Sequence, residues 1–113
     1  MKHTVRDDRG VAVVEIASEL DATHSTELEE VVHRLLTEGQ RRFVIDCARV
    51  TFLNSAGLAA LVHCFKQVRS QAGHICLATL QPSVRHVIEL TRLDRAFDLR
   101  TDVAEAVQYF MSA

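Results

Sequence analysis

The chain has 113 residues, 48% of them hydrophobic and 25% charged, the usage of an ordinary folded domain rather than a disordered segment. That length fits one domain, 1–113, with about 65% of the unfolded surface removed from water, and leaves no room for a second. A formal net charge of −2 and a pI near 6.3, with acids and bases interleaved, exclude the electrostatic footprint of a nucleic-acid or anionic-membrane binder.

The N-terminal Met1-Lys2-His3-Thr4-Val5-Arg6-Asp7-Asp8 is charged and carries no apolar region of signal-peptide length. Asp8-Arg9-Gly10 reads as a turn before the β-branched run Val11-Ala12-Val13-Val14-Glu15-Ile16, so a hairpin is predicted from about His3 to Ile16. Asp21 and Thr23 then offer capping oxygens, and Thr26-Glu27-Leu28-Glu29 has capping-box form. The helix that follows has its apolar stripe at Leu28, Val31, Val32, Leu35 and Leu36, and Gly39 is placed to end it in the left-handed conformation. Phe43-Val44-Ile45 is a short strand suited to burial on both faces.

Next comes Val50-Thr51-Phe52-Leu53-Asn54-Ser55-Ala56-Gly57-Leu58, the most informative stretch of the chain. Behind Asn54-Ser55 an amphipathic run starts at once, with Leu58, Leu61, Val62, Phe65 and Val68 on one helical face, predicting a helix from about Ala56 to Gln71 that Gly73 ends. Ser55 is thus placed where a loop turns into a helix, at the end where backbone N–H groups lack intrahelical partners and the macrodipole is positive. Two readings follow from this position. Asn54 or Ser55 serves only as the N-cap, or Ser55 is a hydroxyl whose conversion to a phosphate adds a charge of about −1.5 to −2 at a point that favours anions.

Ile75-Cys76-Leu77-Ala78 is a further buried strand, and Pro82 opens a helix with Val84, Val87, Ile88 and Leu90 on its packing side. Phe97-Asp98-Leu99 is predicted as one more short strand. Asp102-Val103-Ala104-Glu105 then starts an acid-capped helix that packs through Val103, Ala106, Val107 and Phe110. The order β, β, α, β, α, β, α, β, α demands crossover connections, so much of the sheet is expected to be parallel and covered by helices. The fold class is α/β: a mixed four- to five-stranded sheet with about four helices packed mainly on one face.

Chemistry is sparse. Cys47, Cys64 and Cys76 stand far apart among apolar neighbours and are odd in number, which predicts reduced core thiols in a cytoplasmic protein. His3, His24, His33, His63, His74 and His86 form no His-x-x-x-His pattern, and the nearest approach to a ligand set, His74-Ile75-Cys76, offers two ligands, so no metal and no cofactor is expected. Ser55 lacks the Gly-x-Ser-x-Gly context of a nucleophile elbow, and Gly10, Gly39, Gly57 and Gly73 are too isolated to cradle a phosphate, so no enzyme is expected.

Ser18-Glu19-Leu20-Asp21 after an apolar strand, then Thr51-Phe52-Leu53-Asn54-Ser55-Ala56-Gly57-Leu58, then Ser83-Val84-Arg85-His86-Val87, resemble the STAS domain family, and within it the bacterial anti-sigma-factor antagonists. The likeness runs over nearly the whole chain and is most specific at Asn-Ser-Ala-Gly-Leu. It implies a single STAS-like domain in which Ser55 is the phosphoacceptor, Asp21 lies near it and takes part in kinase contact, and Gly57 lets a partner backbone approach. Asp21, Asn54, Ser55, Ala56, Gly57 and Leu58 are the partner-binding residues so implied. The implied cycle has an anti-sigma factor, often itself a histidine-kinase-like serine kinase, bind the unmodified domain, phosphorylate Ser55 and release it, while a PP2C-type phosphatase restores it. Two departures stand out, because the family loop usually reads Asp-Ser-Ser-Gly or Asp-Ser-Thr-Gly: Asn54 replaces the aspartate and Ala56 a hydroxyl residue. Small residues at that second position also occur in STAS subunits of lipid-transport complexes, which makes an unphosphorylated adaptor in a transport or signalling complex the alternative.

Overall fold

The computed structural model describes residues 1–112. The hairpin forms as predicted: β1 (His3–Asp8) pairs antiparallel with β2 (Val11–Ile16), and Arg9 and Gly10 both take positive φ, as a two-residue hairpin turn of the I′ kind requires. Beyond it the chain alternates: α1 (Ala22–Thr37), β3 (Arg42–Asp46), α2 (Ser55–Ser70), β4 (His74–Ala78), α3 (Pro82–Leu90), a short 3-10 turn at Leu93–Arg95, β5 (Asp98–Arg100) and α4 (Val103–Met111). The sheet runs β1-β2-β3-β4-β5, with every pairing after the hairpin parallel.

Alternation along the strands sorts the core into two layers. Ala12, Val14, Ile16, Phe43, Ile45, Ile75 and Leu77 face the stripes of α1, α2 and α3. Val11, Val13, Val44, Cys76 and Ala78 face the other way, where α4 covers them with Ala106, Val107 and Phe110. Three helices therefore share one face and the fourth closes the opposite one. The three cysteines are free and buried. Among the described residues no helix is long and apolar enough to cross a membrane.

Several local expectations are refined. All five predicted stripe residues of α1 are buried, but its cap is Asp21, whose carboxylate accepts from the amides of Thr23 and His24 at 3.0 and 3.1 Å, so Thr26 lies inside the helix. Gly39 does end α1 with φ 98°, in a Schellman arrangement of Gly39 N to Leu36 O and Gln40 N to Leu35 O. At the end of α2 the same arrangement uses Ala72, at φ 59°, and not Gly73, as the left-handed residue. Gly73 serves a close approach instead, since a Cβ there would lie 2.6 Å from the carbonyl oxygen of Arg41.

Leu90, expected on the packing side of α3, is 69% exposed. Val84 and Ile88 point inward at i and i+4, and two further residues carry the chain about 200° around the axis, out to solvent. The last strand is Asp98–Arg100 rather than one begun by Phe97, because Phe97 turns into the core against Phe65, their ring centroids 4.4 Å apart.

Candidate functional site

Parallel strands that feed helices bring the starts of α1, α2 and α3 to one edge of the sheet, beyond the strands' carboxyl ends, the usual place for function in such folds. The loop between β3 and α2 is pinned there from both sides. Toward α1, Leu20 N donates to Phe52 O at 3.0 Å and Asn54 N donates to Leu20 O at 3.2 Å, which makes Leu20 and Leu53 an isolated parallel bridge. Toward α3, Gln81 Nε2 donates to Ala48 O at 2.6 Å and Ser83 Oγ to Thr51 O at 3.3 Å. Val50 and Leu53 anchor the loop in the core, while Phe52 points outward and is 48% exposed.

The bridge sets the caps of two helices side by side, Asp21 directly after Leu20 and Asn54 directly after Leu53. Asn54 is the N-cap of α2: its side-chain oxygen accepts from Gly57 N at 3.0 Å and its carbonyl from Leu58 N at 2.9 Å. That leaves Ser55 free of the capping task. It is the first residue of α2, exposed, with its own amide and that of Ala56 ahead of the first intrahelical bond. The His24 ring lies beside the Asp21 carboxylate as well, Nδ1 to Oδ1 at 3.0 Å without hydrogen-bond geometry. An acidic side chain, an exposed hydroxyl, an exposed aromatic ring and two helix N-termini therefore occupy one patch.

Gly57 has a structural reason inside this chain. It is buried, and a Cβ would fall 2.1 Å from the carbonyl oxygen of Leu20 and 2.7 Å from its carbon, so only glycine lets α2 come this close to the start of α1. Leu58 is half-buried against the core, and Ala56 is half-exposed beside Ser55. Of the six residues singled out in sequence, Asp21, Asn54, Ser55 and Ala56 thus lie at the surface patch, while Gly57 and Leu58 support it from beneath. Phe52 and Ser83 stand in the stretches that carry the family resemblance but have no role assigned there, and Gln81 stands outside them. Phe52 sits in the apolar approach to Asn54 with nothing local to mark which way it faces, and the contacts of Gln81 and Ser83 join segments more than 30 positions apart.

The domain is thus a mostly parallel α/β sheet with three helix starts gathered at the carboxyl end of its strands and an exposed serine first in the second helix. The chain belongs to the STAS domain family, whose model matches residues 2–106. Among its relatives is the anti-sigma-F factor antagonist RsfB of Mycobacterium tuberculosis, 31% identical over 104 residues that cover 92% of this chain and 84% of RsfB. BtrV of Bordetella bronchiseptica is 27% identical over 113 residues, covering 100% of this chain and 97% of its own. A crystal structure of an anti-sigma factor antagonist from Mycobacterium paratuberculosis superposes with a TM-score of 0.85 at 29% identity, over 96% of this chain and 92% of the other.

Proposed function

We propose that this protein is an anti-sigma-factor antagonist that works by partner switching. Unmodified, it docks an anti-sigma factor with the patch around Ser55, Asp21 and Phe52. The anti-sigma factor, acting as a histidine-kinase-like serine kinase, phosphorylates Ser55 and lets go. A PP2C-type phosphatase resets the domain. The observation that carries this reading is the position of Ser55: exposed, first in α2, and relieved of the capping role by Asn54. The likeness to RsfB supports the class of partner.

The energetics suit a switch. Inside the domain a phosphate on Ser55 faces a helix N-terminus, which at an exposed position is worth only about 0.3–1 kcal/mol, so the fold tolerates it. Across an interface, two charges facing a partner carboxylate about 6 Å away at an effective dielectric of about 20 repel by roughly 5 kcal/mol before screening. A quarter of that lowers affinity about tenfold.

The test measures melting temperature and affinity for the anti-sigma factor together, for unmodified protein, phosphoprotein and Ser55→Ala. Nearly equal melting, weak binding by the phosphoprotein and retained binding by Ser55→Ala are expected. Equal affinity for all three reduces Ser55 to a helix-start residue. If no kinase encoded nearby modifies the protein, as judged by intact mass, the unphosphorylated adaptor becomes the better reading. That alternative draws on Asn54 and Ala56, which lack the charge and the hydroxyl usual beside the acceptor.

A further inference from the structure

On the opposite face of the sheet, under α4, a second group of chemistry-bearing side chains converges. His74 and Cys76 are two apart on β4 and so point to the same face, and Cys76 is the register partner of Asp98 on β5. The register supplies the third ligand that the chain order conceals. Asp98 Oδ2 lies 2.7 Å from His74 Nε2 and accepts from Cys76 Sγ at 3.4 Å, and all three ligand atoms lie within 4.8 Å of one another.

We propose that His74, Cys76 and Asp98 form a binding site for a zinc-like divalent cation, with a fourth coordination position left open. Imidazole, thiolate and one carboxylate are the donor set of zinc and its neighbours, whereas calcium and magnesium ask for oxygen alone. Tetrahedral zinc with bonds of about 2.0–2.3 Å sets neighbouring ligand atoms about 3.3–3.6 Å apart. The Cys76–Asp98 edge already has that length, the His74–Asp98 edge has to open by about half an ångström, and the His74–Cys76 edge, within 4.8 Å, has to close by up to about 1.2 Å.

The surroundings fit the role. Asp98 divides its oxygens: Oδ1 lies 2.8 Å from Arg100 Nε, while Oδ2 faces His74 and Cys76. Arg100 also reaches Oδ2 through NH2 at 3.3 Å, and that contact yields to the cation. Its guanidinium stays beside Oδ1 and over the Tyr109 ring, whose centroid is 3.9 Å away, so Arg100 remains a close counter-charge to the ligating carboxylate. The His74 ring is held by Tyr109 and Phe110, with centroids 5.7 and 5.6 Å away. Its side chain is 36% exposed and that of Asp98 20%, so a cation has a way in from solvent. On binding, the Cys76 thiol gives its proton to solvent and its sulfur pair to the metal; thiolate and carboxylate then neutralise the two charges of the cation, and Arg100 faces a neutral centre.

Cobalt(II) tests this, because thiolate ligation produces an intense sulfur-to-metal charge-transfer absorption. Reduced protein titrated with cobalt(II) is expected to show that band with one-to-one saturation, to lose it on adding zinc(II), and to gain melting temperature with zinc(II). Cys76→Ser is expected to abolish the band, and the isosteric Asp98→Asn, which preserves the packing, to weaken apparent affinity at least tenfold. Cys47→Ala and Cys64→Ala, altered in the other core layer, are expected to keep the band. Absence of the band up to millimolar cobalt(II), its persistence in Cys76→Ser, or unchanged affinity in Asp98→Asn overturns the proposal.

Discussion

At the start of α2 three neighbouring residues divide the work. Asn54 caps, Ser55 is offered to solvent, and Gly57 permits the close pass against Leu20. Because an aspartate oxygen caps as well as an amide oxygen, Asn54→Asp is expected to leave stability within about 0.5 kcal/mol, whereas Asn54→Ala loses about 1 kcal/mol in urea unfolding. The charge restored by Asn54→Asp is the usual family residue beside the acceptor, so initial phosphorylation rates of the two proteins with a cognate kinase read how far that kinase is adapted to the amide. Gly57→Ala drives a methyl into a backbone carbonyl and cannot be relieved by a rotamer change. A loss of about 1–3 kcal/mol is expected, together with weaker hydrogen-exchange protection of the Leu20 and Asn54 amides that form the bridge.

At the scale of elements, helix ends are where local sequence and observed geometry part. Ala72 takes the left-handed conformation at the end of α2, which costs a residue with a Cβ about 1 kcal/mol, because the neighbouring Gly73 is held by its close approach to Arg41. Ala72→Gly is therefore expected to stabilise the domain by about 0.5–1 kcal/mol, measured as a higher urea midpoint with an unchanged slope. On α3 the exposed Leu90 carries no core load. Leu90→Lys is expected to change stability by no more than about 0.5 kcal/mol, while Ile88→Ala, one turn after Val84 and fully buried, costs about 2–5 kcal/mol.

The whole molecule is a sheet with unequal coats, three helices against one face and α4 alone against the other. Burial pushes the thiols of Cys47 and Cys64 up to about 12, whereas an unfolded chain ionises them near 8.5. Between those limits the unfolded state holds fewer protons than the native state, so stability falls as pH rises; below about pH 8 both states are protonated and these groups add no slope. Each thiol contributes at most about 1.4 kcal/mol per pH unit in that window. The stability of the wild type is expected to drop by about 4 kcal/mol more than that of Cys47→Ala/Cys64→Ala between pH 8 and pH 10, measured by urea unfolding.

By itself the chain specified the elements, because their signals are local. The stripe Leu28, Val31, Val32, Leu35, Leu36 follows from side-chain periodicity, and the strands around Val44 and Cys76 from short continuous apolar runs. The Asn54-Ser55 junction was legible for the same reason, since cap and stripe stand next to each other in the chain. What lay beyond it depends on contacts between distant segments. The family resemblance already implied Asp21 near Ser55, and the Leu20–Leu53 bridge is the contact that sets it beside that junction; only the approach of Leu20 explains Gly57, and only the β4–β5 register sets Asp98 against His74 and Cys76. Leu90, read from the sequence as a packing residue, and Phe52, in the apolar approach to Asn54, both stand in water because a helix's rotation and a pinned loop, neither of them a property of composition, decide which way a side chain faces.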